Sequence, residues 1–103
     1  MRLVYLIYDY TDNALIDELE IEITRLINED DETIYFSPLH AFGWQYGSWD
    51  FSYNPDMCVE MMQRCDSALV ITPPNGTVDD EMDAADRAGL VVDIAPEVRH
   101  WYY

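Results

Sequence analysis

The sequence contains no lysine, two cysteines, two histidines and four glycines in 103 residues, and each scarcity excludes something. All five basic residues are arginines, set against 21 acidic ones, for a net charge of −16. Such a chain repels phosphate backbones, so nucleic acid is not an expected partner. The histidines are His40 and His100, and no CxxC, HxxxH or spaced His/Cys cluster occurs, which leaves nothing from which to build a zinc site. Cys58 and Cys65 fall in a segment that reads as one helix, about 10 Å apart along its axis and too far for a disulfide. Both are expected to be reduced, buried and inert. Neither GxGxxG, GxxxxGK[ST] nor GxSxG occurs, so a dinucleotide cofactor, a P-loop and a nucleophile elbow are excluded, and no cofactor is expected. No apolar run approaches the roughly 20 residues of a bilayer span, and no basic segment with a signal-like apolar stretch opens the chain. We therefore expect no membrane partner and a cytoplasmic location.

Acid is what the sequence has in excess. A salt-loving host, a mimic of nucleic acid facing a basic partner, and a plain acidic domain each account for it. Aspartate in excess of glutamate, together with absent lysine, favours a halophilic origin. On that reading salt screens self-repulsion, and the melting temperature is expected to climb steeply with added potassium chloride. A flat response in a thermal melt excludes it.

The length suits a single domain over 1–103. "RLVYLIY" (2–8) is a β-prone run without polar alternation, as in a strand buried on both faces. Leu15, Leu19, Ile23, Leu26 and Ile27 recur at helical spacing, predicting an amphipathic helix over 12–28 that ends in the turn "NEDDE". "TIYFS" (33–37) reads as a second strand, stopped by Pro38. Asn54 and Pro55 read as a cap and first helical residue, with Cys58, Met61, Met62 and Cys65 forming one apolar face to about residue 65. "SALVIT" is the third strand, and a helix over 78–88 with a Thr77–Asp80 cap pair ends at Gly89. "LVVDI" is then the fourth strand. Alternating strands and helices imply parallel pairing with right-handed crossovers. The expected fold is an α/β, three-layer, doubly wound (Rossmann/flavodoxin-like) parallel sheet of order 2-1-3-4. A ligand then sits outside the C-terminal ends of strands 1 and 3, between "YDYTD" and "PPNGTVDDE".

Between the second strand and the next helix lies "SPLHAFGWQYGSWDFSYNPD" (37–56), six aromatic rings and a histidine with no periodicity. This topology carries the segment toward the crevice, where Phe42, Trp44, Tyr46 and Trp49 can stack a flat base. The competing reading is that the rings close a small core or pair with a second subunit. The tail "PEVRHWYY" ends in three further rings, for which subunit contact is the natural cover, so a homo-oligomer, a dimer or higher, is expected.

Four stretches, "VYL" in the first strand, "YFSPLH", "NPDMCVEMMQRCDSALVI" and "PPNGTVDDEMDAADRAGLVV", together resemble the nucleoside 2-deoxyribosyltransferase superfamily, especially its small uncharacterised members. The similarity spans nearly the whole chain. It implies the same fold, a nucleoside or nucleotide as the small-molecule partner, and hydrolysis or transfer at the N-glycosidic bond. Through it Glu81 matches the nucleophile that attacks the sugar's anomeric carbon, Tyr5 the tyrosine that positions it, and Asp56 a catalytic acid at the start of the preceding helix. Asn75 stands where relatives carry aspartate or serine. Tyr8 and Asp9 replace a Gly-Pro pair, while Thr77 and Asp79 replace glycines that flank the nucleophile's turn. Tyr8, Asp9, His40, Phe42, Trp44, Asn75 and Thr77 are thus the expected substrate-binding residues, with no metal. Side chains in place of those glycines, beside Asp79, Asp80 and Asp83, disfavour a phosphorylated ligand.

Read without the resemblance, each residue has a structural role open to it. Glu81 is expected in the first turn of its helix, where any acid is favoured and held anionic. Asp56 suits a helix start, Asp66 a turn, Tyr5 a core position with a bonded hydroxyl, and His40 a loop hydrogen bond. Three functions follow: an N-glycosidic enzyme, a catalytically inactive protein that sequesters a nucleotide, and an acidic interaction module.

Overall fold

A computed structural model describes residues 1–9, 16–38 and 55–103. Their order is β1 (Arg2–Ile7), α1 (Ile16–Glu29), β2 (Thr33–Phe36), α2 (Pro55–Met62), β3 (Ser67–Val70), α3 (Gly76–Arg87), β4 (Val92–Ile94) and a 3₁₀ turn, Arg99–Trp101. The strands form one sheet in the order β2-β1-β3-β4, every pairing parallel, as expected from the sequence. Tyr5 lies in register with Phe36 on one side and Ala68 on the other. Right-handed crossovers put α1 on one face and α2 with α3 on the other, giving the three-layer, doubly wound arrangement. Among the described residues no helix is long and apolar enough to cross a membrane.

β1 is central: its Val4, Tyr5, Leu6 and Ile7, and Tyr8 just beyond it, are all buried. Side chains alternate along a strand, and the Tyr5 hydroxyl reaches α3, so Tyr5 and Ile7 face α2 and α3 while Val4 and Leu6 face α1. Cys58 and Met62 of α2 and Val78, Ala84 and Ala85 of α3 complete the core on the Tyr5 side. Removing a side chain the size of Met62 or Val78 from water is worth about 1.5–3 kcal/mol.

Several boundaries differ from the sequence reading. On α1, Ile23 is buried and Leu26 packs on the core, but Ile27 is 51% exposed. The helix touches the sheet along a line between Ile23 and Leu26, and Ile27 is turned about 100° from Leu26. α2 stops at Met62 rather than 65, because the amides of Arg64 and Cys65 bond the carbonyls three residues back, of Met61 and Met62. Both cysteines are free, Cys58 buried and Cys65 partly so.

α3 begins two residues before the expected start, and its cap is Asn75 rather than the Thr77–Asp80 pair. Asn75 keeps an extended backbone and its Oδ1 accepts the Val78 amide at 2.8 Å, whereas Thr77 already lies within the helix. Asn75→Ala is expected to cost about 1 kcal/mol in a urea titration, since it orphans that amide. At the other end Gly89, at φ +72°, follows the last helical residues. Its amide bonds the Asp86 carbonyl and the Leu90 amide bonds that of Ala85, a closure that needs a left-handed residue.

Candidate functional site

Three side chains from three elements meet beneath α2 and α3. Tyr5 rises from the middle of β1, Cys58 from the first turns of α2, and Glu81 from the second turn of α3. The Tyr5 hydroxyl donates to Glu81 Oε1 at 3.4 Å, and the Cys58 thiol donates to the same oxygen at 3.7 Å. The second carboxylate oxygen, Oε2, is buried and has no hydrogen-bond partner among the described residues. Glu81 as a whole is 0% exposed. A buried carboxylate ordinarily engages both oxygens.

This placement corrects the expectation that Glu81 sits in a first turn and is held anionic there. It is the sixth residue of α3, beyond the reach of the end amides. Desolvation raises its pKa to about 7, outweighing the two donors that lower it, and the nearby Asp80 charge adds to the rise. Near neutrality the carboxyl is therefore poised between its two states. Its neighbours stay neutral: burial, and then the Glu81 charge, pushes the Cys58 thiol up to about 12 and the Tyr5 phenol far above its ordinary range.

Of the three residues assigned to catalysis, Glu81 and Tyr5 are brought together and Asp56 is not. The Asp56 side chain is 93% exposed and faces Arg87 at 4.0 Å. It is the first acid of α2, and its place there is the surface end of the helix. Asp66 is structural: its Oδ2 accepts the Leu3 amide at 2.8 Å, at the edge of the sheet opposite the crevice.

The crevice between the ends of β1 and β3 is closely tied. Ile71 donates its amide to the Ile7 carbonyl at 3.0 Å, and the Asp9 amide donates to Thr72 Oγ1 at 3.0 Å. The Tyr8 hydroxyl shares a hydrogen bond with Ser37 Oγ at 2.5 Å, and Tyr8 is buried rather than presented to a ligand. Asn75 spends its side-chain oxygen on the α3 cap, and Thr77 is half-buried in the same turn. From the tail, the Tyr102 hydroxyl donates to the Thr72 carbonyl at 2.7 Å, so this ring anchors within its own chain. Trp101 and Tyr103 are 59% and 87% exposed. His40, Phe42 and Trp44 lie outside the described residues, as do Tyr46 and Trp49.

Asp79, Asp80, Asp83 and Asp86 are exposed along α3, giving the helix above Glu81 a negative outer face. Among the described residues no group of three or more His, Cys, Asp or Glu is placed to hold a metal ion. An open groove of about 610 Å³ between Met1, Arg2, Asp30, Glu32 and Thr33 lies at the N-terminal edge of the sheet and touches none of these groups. Cys58 is the member of the cluster that sequence reasoning treated as inert. Nothing in its spacing distinguishes a thiol that packs from one that also donates.

No protein-family model, no curated protein and no solved structure matches the chain.

Proposed function

We propose that the protein cleaves or transfers the N-glycosidic bond of a nucleoside or nucleotide, with Glu81 as nucleophile and Tyr5 as the residue that orients it. The observation that carries this reading is the Glu81 carboxylate: buried, held at Oε1 by Tyr5, and unpartnered at Oε2. Attack on an anomeric carbon requires an anionic carboxylate whose lone pair is not already engaged. A pKa of about 7 keeps a substantial share of that anion present at neutral pH despite the desolvation of the buried carboxyl. The acidic outer face of α3 favours an uncharged nucleoside over a phosphorylated one.

A second reading, sequestration of a nucleotide-like molecule without turnover, draws on the full burial of the same carboxylate. Incubation with a panel of nucleosides and nucleotides, with chromatography of the released free base, separates the two. Base release from at least one nucleoside is the expected result. Binding of a nucleotide with no base released from any compound overturns the glycosidic reading in favour of sequestration.

A further inference from the structure

We propose that Cys58 is a positioning residue of this site, its thiol sharing with the Tyr5 hydroxyl the hold on Oε1 of Glu81, so that Oε2 is the oxygen that attacks the sugar. The inference rests on the glycosidic reading and adds to it the atom that reacts and a residue that selects it.

Two donors from different elements, β1 and α2, converge on one oxygen at 3.4 and 3.7 Å while the other oxygen, equally buried, has none among the described residues. One donor on each oxygen would have satisfied the group completely. Convergence fixes the carboxylate plane from two directions and reserves one oxygen. Both donors keep their protons at neutral pH, since burial pushes the thiol up to about 12 and the phenol higher still. Cys58 is therefore a hydrogen-bond donor and not a rival nucleophile. Among the described residues Tyr5 from β1 and Cys58 from α2 face Glu81, and the charge of Asp80, exposed on the outer face of α3 itself, acts on it from nearby.

In the first step a lone pair of Oε2 forms a bond to the anomeric carbon as the carbon–nitrogen bond breaks. The electron pair of that bond leaves on the base nitrogen, which takes a proton from water. In the second step a water oxygen attacks the same carbon, the glycosyl–carboxylate bond breaks, and its electron pair returns to Glu81. The proton of that water goes to solvent. One water is consumed for each nucleoside cleaved, and Oε1 stays with its two donors throughout.

The test compares wild type with Cys58→Ala and Cys58→Ser, following the Glu81 carboxyl by carbon-13 NMR across a pH titration and, in parallel, the pH profile of base release. Loss of the donor in Cys58→Ala is expected to move the Glu81 midpoint up by about half a pH unit or more, and the midpoint of base release with it. Cys58→Ser keeps a donor and is expected to hold both midpoints near wild type. A residue that only filled space would change the melting temperature and leave both midpoints in place. An unmoved or lowered NMR midpoint in Cys58→Ala, with wild type releasing base, overturns the role of Cys58 and leaves the glycosidic reading intact. A wild type that releases no base overturns that reading, whereas an upward NMR shift in the same samples supports the hold of Cys58 on Oε1. Should Cys58→Ala fail to fold by circular dichroism, Cys58→Val, which fills the space of the thiol without a donor, decides: an upward-shifted pair of midpoints supports the proposal and unmoved midpoints overturn it.

Discussion

At pH 8 the Glu81→Gln variant is expected to be more stable than the wild type, and at pH 4.5 the difference is expected to disappear or reverse slightly. An unfolded glutamate titrates near 4.5, and burial raises this one to about 7. The folded state therefore binds the proton more tightly than the unfolded state between those values. Stability associated with the protonated form is fully present below the unfolded value and is lost as the pH rises through the folded one. The gap corresponds to about 3 kcal/mol, an upper figure, because the Gln amide leaves a buried N–H group without an assured acceptor. A net gain of about 1–3 kcal/mol at pH 8 is the expected result, large beside the total stability of a domain this size. The measurement is a pair of urea titrations at the two pH values, read as a midpoint shift at constant slope. The exposed carboxylates titrate alike in both proteins and cancel in the comparison. Parallel pH profiles for the two would mean that Glu81 titrates as an ordinary surface acid, and that the desolvation argument fails.

The same substitution is expected to abolish base release while making the fold firmer. Gln keeps the shape but offers no anionic oxygen, so a loss of at least about a thousandfold in turnover is expected, with ligand binding retained. For the wild type, turnover is expected to rise as Glu81 ionises through about pH 7 and to level off above it, because the anion and not the acid attacks. Among the described residues Tyr5 and Cys58 face the carboxyl and stay protonated throughout this range, while the exposed Asp80 adds a negative charge nearby. Stability and activity thus run in opposite directions across neutrality. The charge that destabilises the core is the charge that would react, which is how strain at a working site is commonly stored.

How much of this is visible in the letters differs from element to element. β1 is legible because an uninterrupted run of Leu, Val, Tyr and Ile has no stable place except between two helical layers. With β1 central, alternation of strand and helix sets the order of the other strands through the handedness of the crossovers. Ends of elements are less legible because they depend on which of two adjacent polar residues meets an orphan amide. Asn75 is the cap rather than Thr77 because its backbone is extended and its side-chain Oδ1 accepts the Val78 amide. That earlier start puts Glu81 in the second turn, away from the end amides, and the packing of its face of α3 on β1 makes it a desolvated acid. Nor does local pattern pair Tyr5 with Glu81, 76 residues apart; the family resemblance proposed the pair and the packing of α3 on β1 brings it within hydrogen-bonding distance. The resemblance assigns Asp56 to the site, but a helix's first acid points along the axis into solvent as readily as inward, and this side chain is 93% exposed. Cys58 reads as one more apolar position, since a thiol's second property, its weak donor, leaves no trace in periodicity.

The central claim is that Glu81 forms a bond to the sugar. Acid quenching during turnover of a nucleoside that yields free base, followed by peptide mass spectrometry, tests it most directly. A glycosyl mass is expected on the peptide that contains Glu81, at that residue, and none on that peptide from the Glu81→Gln variant. Base released at equal rates by wild type and Glu81→Gln, with no adduct on that peptide, would contradict it.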